Sequence, residues 1–237
     1  MRLDKYLADC GAGTRSEIKK MIRAGRVQVP AVDSPRPETQ VDPATANVLL
    51  DGAVVCYQKY VYLMLNKPAG YVSATWDRNL PTVLDLLPEE YRHFQPFPVG
   101  RLDIDTEGLC LLTNDGQLAH RLLSPGRHIP KTYYVELDAP ATVRDARAFA
   151  AGLTLEDGYV TKPASLTILP DARAEVVIEE GKYHQIKRMF ACVGRHVRYL
   201  KRIKMNRLPL DETLLPGAMR ELTQQEMELL QIGVVTG

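Results

Sequence analysis

The chain of 237 residues is short of the features that mark several protein classes. Its 4 cysteines, Cys10, Cys56, Cys110 and Cys192, stand far apart, with no C-x-x-C pair and no histidine at matching spacing. That excludes a zinc ribbon or a disulfide scaffold, and Cys110 and Cys192, set in apolar runs, are expected to be small core residues. No apolar run approaches the length of a bilayer span, and Met1-Arg2-Leu3-Asp4-Lys5 lacks the apolar core of a signal peptide, so a cytoplasmic protein without a membrane partner is expected. Net charge is also scarce, with 30 Lys and Arg against 29 Asp and Glu, so any surface for a polyanion has to be local. Internal repeats and low-complexity segments are absent.

What is present suffices for one ordinary domain and a small one, since 45% of the residues are hydrophobic. Thr14-Arg15-Ser16-Glu17 has the spacing of a capping box. It predicts a helix to about Ala24, closed by Gly25, that buries Ile18, Met21 and Ile22 and exposes Arg15, Lys19 and Arg23. A short helix over residues 3–8 precedes it and a strand over 27–29 follows. Pro30-Ala31 then opens a proline-rich detour, and residues 48–55 read as a hairpin around Asp51-Gly52.

Beyond residue 57 strands and helices alternate irregularly. Strands are expected over 60–66, 131–137 and 175–178, a helix over 142–151, and a last helix from the capping box at Thr223-Gln224-Gln225-Glu226 to about residue 232. This pattern predicts an α+β domain with a mixed, mainly antiparallel sheet. Positive charge clusters in two places. Arg15, Lys19, Lys20, Arg23 and Arg26 oppose only Glu17, and residues 182–210 hold nine Lys or Arg, Lys182 and Arg188 among them, with no acid. Clusters of this kind favour phosphate contacts.

The most informative segment is an acidic turn, Gly100-Arg101-Leu102-Asp103-Ile104-Asp105-Thr106-Glu107-Gly108, set before the apolar Leu109-Cys110-Leu111-Leu112. It reads as a loop or strand end at a sheet edge. In an extended backbone Arg101 and Asp103 share one face while Leu102 and Ile104 anchor the other. Composition alone leaves open a solvated turn, or a divalent-ion site in which Asp103 and Asp105 are joined by Glu107 or Asp115.

This turn and its continuation, Thr113-Asn114-Asp115-Gly116-Gln117-Leu118-Ala119-His120-Arg121-Leu122, resemble the defining motif of the pseudouridine synthases. The wording, with the late Leu215-Pro216-Gly217-Ala218-Met219-Arg220-Glu221-Leu222-Thr223, is most similar to the branch that modifies small-subunit ribosomal RNA, the RsuA type. Asn66-Lys67-Pro68-Ala69-Gly70 resembles that family's first motif, which shapes the pocket wall. Lys131-Thr132-Tyr133 resembles its K-x-Y motif, and Glu180 through Phe190 its third motif. Near the N-terminus, L-D-K-Y-L-A followed by T-R-S-E-I-K-K-M-I-R-A-G-R-V resembles an S4 domain, an RNA-binding unit, although Pro30-Ala31 stands where an N-G turn usually follows.

The resemblance implies an S4-like domain over 1–57 and a catalytic domain over 58–237. It places the catalytic carboxylate on Asp103, its cationic partner on Lys187 near a helix start, the base-stacking ring on Tyr133, and on Arg101 the side chain that fills the space left by a flipped nucleotide. A carboxylate working where water is excluded needs such a fixed cation. Tyr134, on the opposite face of its strand, is expected in the core, and His184 and Gln185 are expected to cap or brace the wall. RNA contacts are expected from Arg15, Lys19, Arg23, Arg26, Lys182 and Arg188. The implied reaction is isomerisation of a uridine in 16S ribosomal RNA, of the position-516 type, by a monomer needing neither cofactor nor metal. The alternatives are a 23S ribosomal RNA synthase of the same family and a non-catalytic factor that binds ribosomal RNA during assembly.

Overall fold

The computed structural model describes residues 1–30 and 32–230, so Ala31 of the proline-rich detour and the expected helix end at residues 231 and 232 lie outside the described residues. The chain divides into two compact units, one of Met1–Val61 with Pro88–Pro96, the other of Tyr62–Leu87 with Phe97 onward.

In the first unit, α1 (Leu3–Asp9) and α2 (Arg15–Arg23) pack beside a small antiparallel sheet of β1 (Val27–Gln28), β2 (Val48–Leu50) and β3 (Ala53–Val55). The capping box forms as its spacing demands. Thr14 Oγ1 accepts from Glu17 N at 3.3 Å, and Glu17 Oε2 accepts from Thr14 N at 2.8 Å. Such a cap stabilises a helix by about 1 kcal/mol. Ile18 and Ile22 are buried against Leu3, Leu7, Val27 and Val48, while Met21 is only half-buried. The β2–β3 turn carries positive φ at both Asp51 and Gly52, the conformation that suits a two-residue hairpin. Pro88–Pro96 contributes α3 (Glu89–Arg92).

The second unit is built on a sheet whose order among the described residues is β12-β4-β6-β10-β7-β9-β8. Its strands are β4 (Tyr62–Lys67), β6 (Glu107–Thr113), β7 (Lys131–Leu137), β8 (Ser165–Leu169), β9 (Arg173–Ile178), β10 (Val197–Met205) and β12 (Met219–Glu221), with β5 (Phe97–Pro98) on β6 and β11 (Leu208–Pro209) on β10. Among the described strands of this sheet the β6–β10 ladder is parallel and the other ladders are antiparallel. Around the sheet lie α4 (Gly116–Leu123), α5 (Val143–Ala151), α6 (Gln185–Cys192) and α7 (Gln224–Leu230). One core gathers Met64, Leu109, Leu111, Leu118, Leu122, Met205 and Leu230, and Phe149 of α5 meets Phe190 of α6 with ring centroids 4.9 Å apart. Near the end of the chain Arg220 bridges Asp211 and Glu226.

Three expectations need correction. The acidic turn does not end at a sheet edge, because β6 has β4 on one side and β10 on the other. The stretch 182–210 is not a continuous basic surface. Most of its second half is β10, whose pleat turns alternate side chains inward, and Arg202 is 2% exposed. Cys110 is buried as expected, but Cys192 is exposed.

Candidate active site

The chain leaves regular structure after Pro98, passes through the acidic turn and regains it at Glu107. Leu102 is buried, whereas Ile104 is exposed, so the segment is anchored at one apolar residue and not at both, as alternation in an extended backbone predicted. Backbone capture holds the rest. The ammonium of Lys67, at the end of β4 and fully buried, donates to the carbonyls of Pro68 (3.1 Å), Asp103 (3.1 Å), Ile104 (3.2 Å) and Thr106 (2.8 Å). Burial pushes that ammonium down to about 8. Ser73 Oγ adds a second tie, accepting from Leu102 N and donating to Leu102 O. The turn is therefore held from its main chain, which leaves its carboxylates free to face outward.

Gly108 explains why this motif ends in glycine. Its φ is +96°, and a Cβ there would lie 2.2 Å from the carbonyl oxygen of Arg202 on the parallel neighbour β10. Only a residue without a side chain permits that approach.

The carboxylates meet α6. His184 begins this helix in a left-handed conformation, with φ 48°, and no side-chain cap. Gln185 braces the entry instead, its Oε1 accepting from Lys182 N at 2.9 Å and its Nε2 donating to Glu180 at 2.5 Å. Lys187, the third residue of α6, then lies 3.9 Å from Asp103 Oδ2, and His184 Nε2 is 3.8 Å from Asp103 Oδ1. The tighter partner of Lys187 is Asp105, at 2.6 and 2.7 Å from its two carboxylate oxygens. Burial alone would raise the Asp105 carboxyl, but the hydrogen bond and charge of Lys187 outweigh it and hold that carboxyl below its usual range. The expected Asp103–Lys187 pair is thus a triad with Asp105, in which one ammonium serves two carboxylates.

Beside Asp103 lies a cavity of about 60 Å³ lined by Arg101, Thr106, Tyr133, Ile178, Ile186 and Leu200, among others. Tyr133 on β7 is 7% exposed. It stands opposite Arg202 of β10 and Val176 of β9, so it shares a sheet face with Ile178 and Leu200. Tyr134 points the other way but is not in the core. It is half-buried, and its hydroxyl donates to Glu136 at 3.0 Å. Arg101 is exposed at the rim.

The remaining expected residues divide sharply. Lys182 lines the cavity, with its ammonium 4.6 Å from the centre of the Tyr159 ring. Arg188 does not; its guanidinium is held by Glu156 and Asp157, each at 2.6 Å. Arg26 is clamped by Asp51 at 2.6 and 2.8 Å. In the first unit Arg15, Lys19 and Arg23 are exposed on α2, and Lys19 and Arg23 line a groove with Arg2 and Pro30, Pro35 and Pro37. The carboxylates proposed for a divalent ion are dispersed. Asp115 caps α4 through Gln117 N and Leu118 N, and Glu107 accepts from the Tyr199 hydroxyl at 2.7 Å. No group of three potential metal ligands occurs among the described residues.

Sequence reasoning missed three contributors. The four carbonyls on Lys67, the unpartnered Thr106 hydroxyl at the cavity and the buried Arg202 are all products of tertiary packing. Only the N-K-P wording hinted at the first.

The sequence pattern of the RNA pseudouridylate synthase family matches residues 61–192, and that of the S4 domain matches residues 1–29. The chain is similar to the RNA pseudouridine synthase YtzG of Bacillus subtilis (strain 168), with 49% identity over 97% of this chain and 98% of that protein. It is also similar to ribosomal small subunit pseudouridine synthase A of Escherichia coli (strain K12), with 42% identity over 96% of this chain and 98% of that one. A crystal structure of a pseudouridylate synthase superposes with a TM-score of 0.69 at 38% identity, over 98% of this chain and 100% of that one.

Proposed function

The chain belongs to the RNA pseudouridylate synthase family, and from that premise we propose that Asp103 drives isomerisation of a uridine in 16S ribosomal RNA, of the position-516 type. The observation that carries this reading is the Asp103 carboxylate beside a Tyr133-floored cavity and 3.9 Å from a helix-borne ammonium. The reaction breaks the bond from ribose C1′ to base N1 and forms one from C1′ to C5. The hydrogen at C5 leaves as a proton and N1 gains one, so nothing is oxidised and no water is consumed.

Asp103 acts at the ribose, and Lys187 balances its charge when RNA excludes water from the rim. The uridine has to leave its stack to arrive there, and Tyr133 offers the flat surface that receives it. Thr106 Oγ1, buried and without a protein partner, is available to the polar edge of the base. A cavity of about 60 Å³ holds roughly two waters, so admitting a base requires rim side chains such as Arg101 to move. The 42% identity to a ribosomal small subunit enzyme supports 16S RNA as substrate.

Residues 1–57 then supply RNA affinity, through Arg15, Lys19 and Arg23 with Arg26 behind them, and 58–237 the chemistry, with Lys182 and Arg188 flanking the site. The protein works as a monomer in the cytoplasm. The test is tritium release from C5-labelled 16S and 23S transcripts, followed by mapping of the modified residue. Release from 16S at one uridine is the expected result. Release only from 23S moves the substrate to the large subunit, and release from neither RNA, with RNA binding intact, overturns the enzymatic reading in favour of an assembly factor.

A further inference from the structure

A second cavity, of about 350 Å³, adjoins the first and shares Arg101, Tyr133, Gly181 and Lys182 with it. Its wall contains two cations that the chemistry above does not use, Arg202 buried and Lys131 half-buried. Arg202 is 2% exposed; its Nε donates to Leu109 O at 2.7 Å, which fixes the guanidinium plane, and its Nη2 has no partner. Lys131, two residues before Tyr133 on the same strand face, donates to Ile129 O at 3.0 Å. Among the described residues neither cation is paired with a carboxylate. The two glutamates of the cavity are engaged elsewhere. Glu179 lies 3.0 Å from His128 Nδ1, and Glu180 accepts from the Tyr159 hydroxyl, Lys162 N and Gln185. Burial, and then the charge of Arg202, push the Lys131 ammonium down to about 8, with Glu179 pulling the other way.

A guanidinium nitrogen taken from water and given no acceptor carries its full desolvation penalty, and the half-buried ammonium of Lys131 nearby adds repulsion to it. Both penalties disappear when one anion enters. We propose that this cavity binds a backbone phosphate of the RNA next to the target uridine, gripped by Arg202 and Lys131. A phosphate matches the donors of arginine and the point charge of lysine. Because the two cavities share a wall, an anion here suits the phosphate of a nucleotide next to a ribose at Asp103. The grip converts backbone binding into placement of the sugar, and Gly108, by letting β6 approach Arg202, ties it to the catalytic turn. The inference deepens the proposed function and rests on it.

The test is a thermodynamic cycle on the full-length protein, read by fluorescence anisotropy with short RNAs carrying the target loop. Methylphosphonates replace, one at a time, the phosphates flanking the uridine, and each RNA is titrated against wild type, Lys131→Met and Lys131→Arg. For wild type one methylphosphonate weakens binding by about tenfold. Lys131→Met weakens the unmodified RNA by a similar factor, shows no further loss with that methylphosphonate, and lowers the log–log salt slope by about one. Lys131→Arg retains the wild-type pattern. Methylphosphonates without effect at every flanking position, or losses that multiply in Lys131→Met, overturn the inference. A parallel arm titrates inorganic phosphate. Competition with RNA that is equal for wild type and Lys131→Met also overturns it, since the anion then binds elsewhere. Anisotropy needs no turnover, so absent tritium release with the coupling intact strikes the enzymatic reading, and lost coupling with release intact strikes the subsite alone.

Discussion

Two ammonium groups reach the same acidic turn and read different parts of it. Lys67, inside the sheet, takes only carbonyls, while Lys187, at the start of α6, takes only carboxylates. The first fixes where the turn is and the second fixes what charge it presents. A buried lysine with oxygen partners loses structure when removed, because it leaves several acceptors unpaired. A partly exposed ion pair contributes little to folding, so its removal registers in chemistry.

The sharpest way to break the comparison is to remove the acid both lysines surround. Asp103→Asn should take tritium release below detection, while RNA anisotropy changes by less than about twofold; substantial turnover by this variant removes the carboxylate from the mechanism. Next in size, Lys187→Met should lower kcat by about 10²-fold, the scale of losing one electrostatic group at a reacting centre, with the unfolding midpoint moved by no more than about 1 °C. Lys67→Met should show the reverse emphasis, destabilising the protein by about 3 kcal/mol and lowering the midpoint by several degrees. Equal midpoints for the two lysine variants would erase the distinction between them.

The smallest expected effect comes from a third ion cluster. The hydrogen bonds of Thr213, and then of Arg220, hold the Asp211 carboxyl down at about 2, and the Arg220 hydrogen bond brings Glu226 to about 2 as well. Carboxyls depressed in the fold contribute stability above their unfolded values of roughly 4, and lose it as pH falls from there toward 2. Thermal midpoints should therefore decline across that window, and the decline should be shallower in Arg220→Met.

Much of the site was legible because short polar motifs carry it. Gly100-Arg101-Leu102-Asp103 and His184-Gln185-Ile186-Lys187 named the two segments that meet, and Lys131-Thr132-Tyr133 named the ring beneath them. The capping boxes at Thr14 and Thr223 and the Asp51-Gly52 turn could be read because their signals span four residues or fewer. What stayed hidden depended on partners far along the chain. In β10 the sequence V-R-Y-L-K-R-I-K-M reads as a basic surface, yet the ladder turns Leu200 and Arg202 inward together and shifts register before Lys204. Apolarity could not identify the inner face, because an arginine occupies it. The sharing of Lys187 between Asp103 and Asp105 was equally invisible, since spacing within a turn does not say which of two alternate carboxylates a distant helix will meet.

The close passage of Gly108 beneath the Arg202 carbonyl has one more consequence. With no clearance for even a methyl group, this end of the acidic turn has no hinge, and under the proposed function the mould is stiff beside Asp103. Deformation then falls on the nucleic acid, so a uridine in a weakly stacked loop should be processed far faster than the same uridine inside a stable duplex.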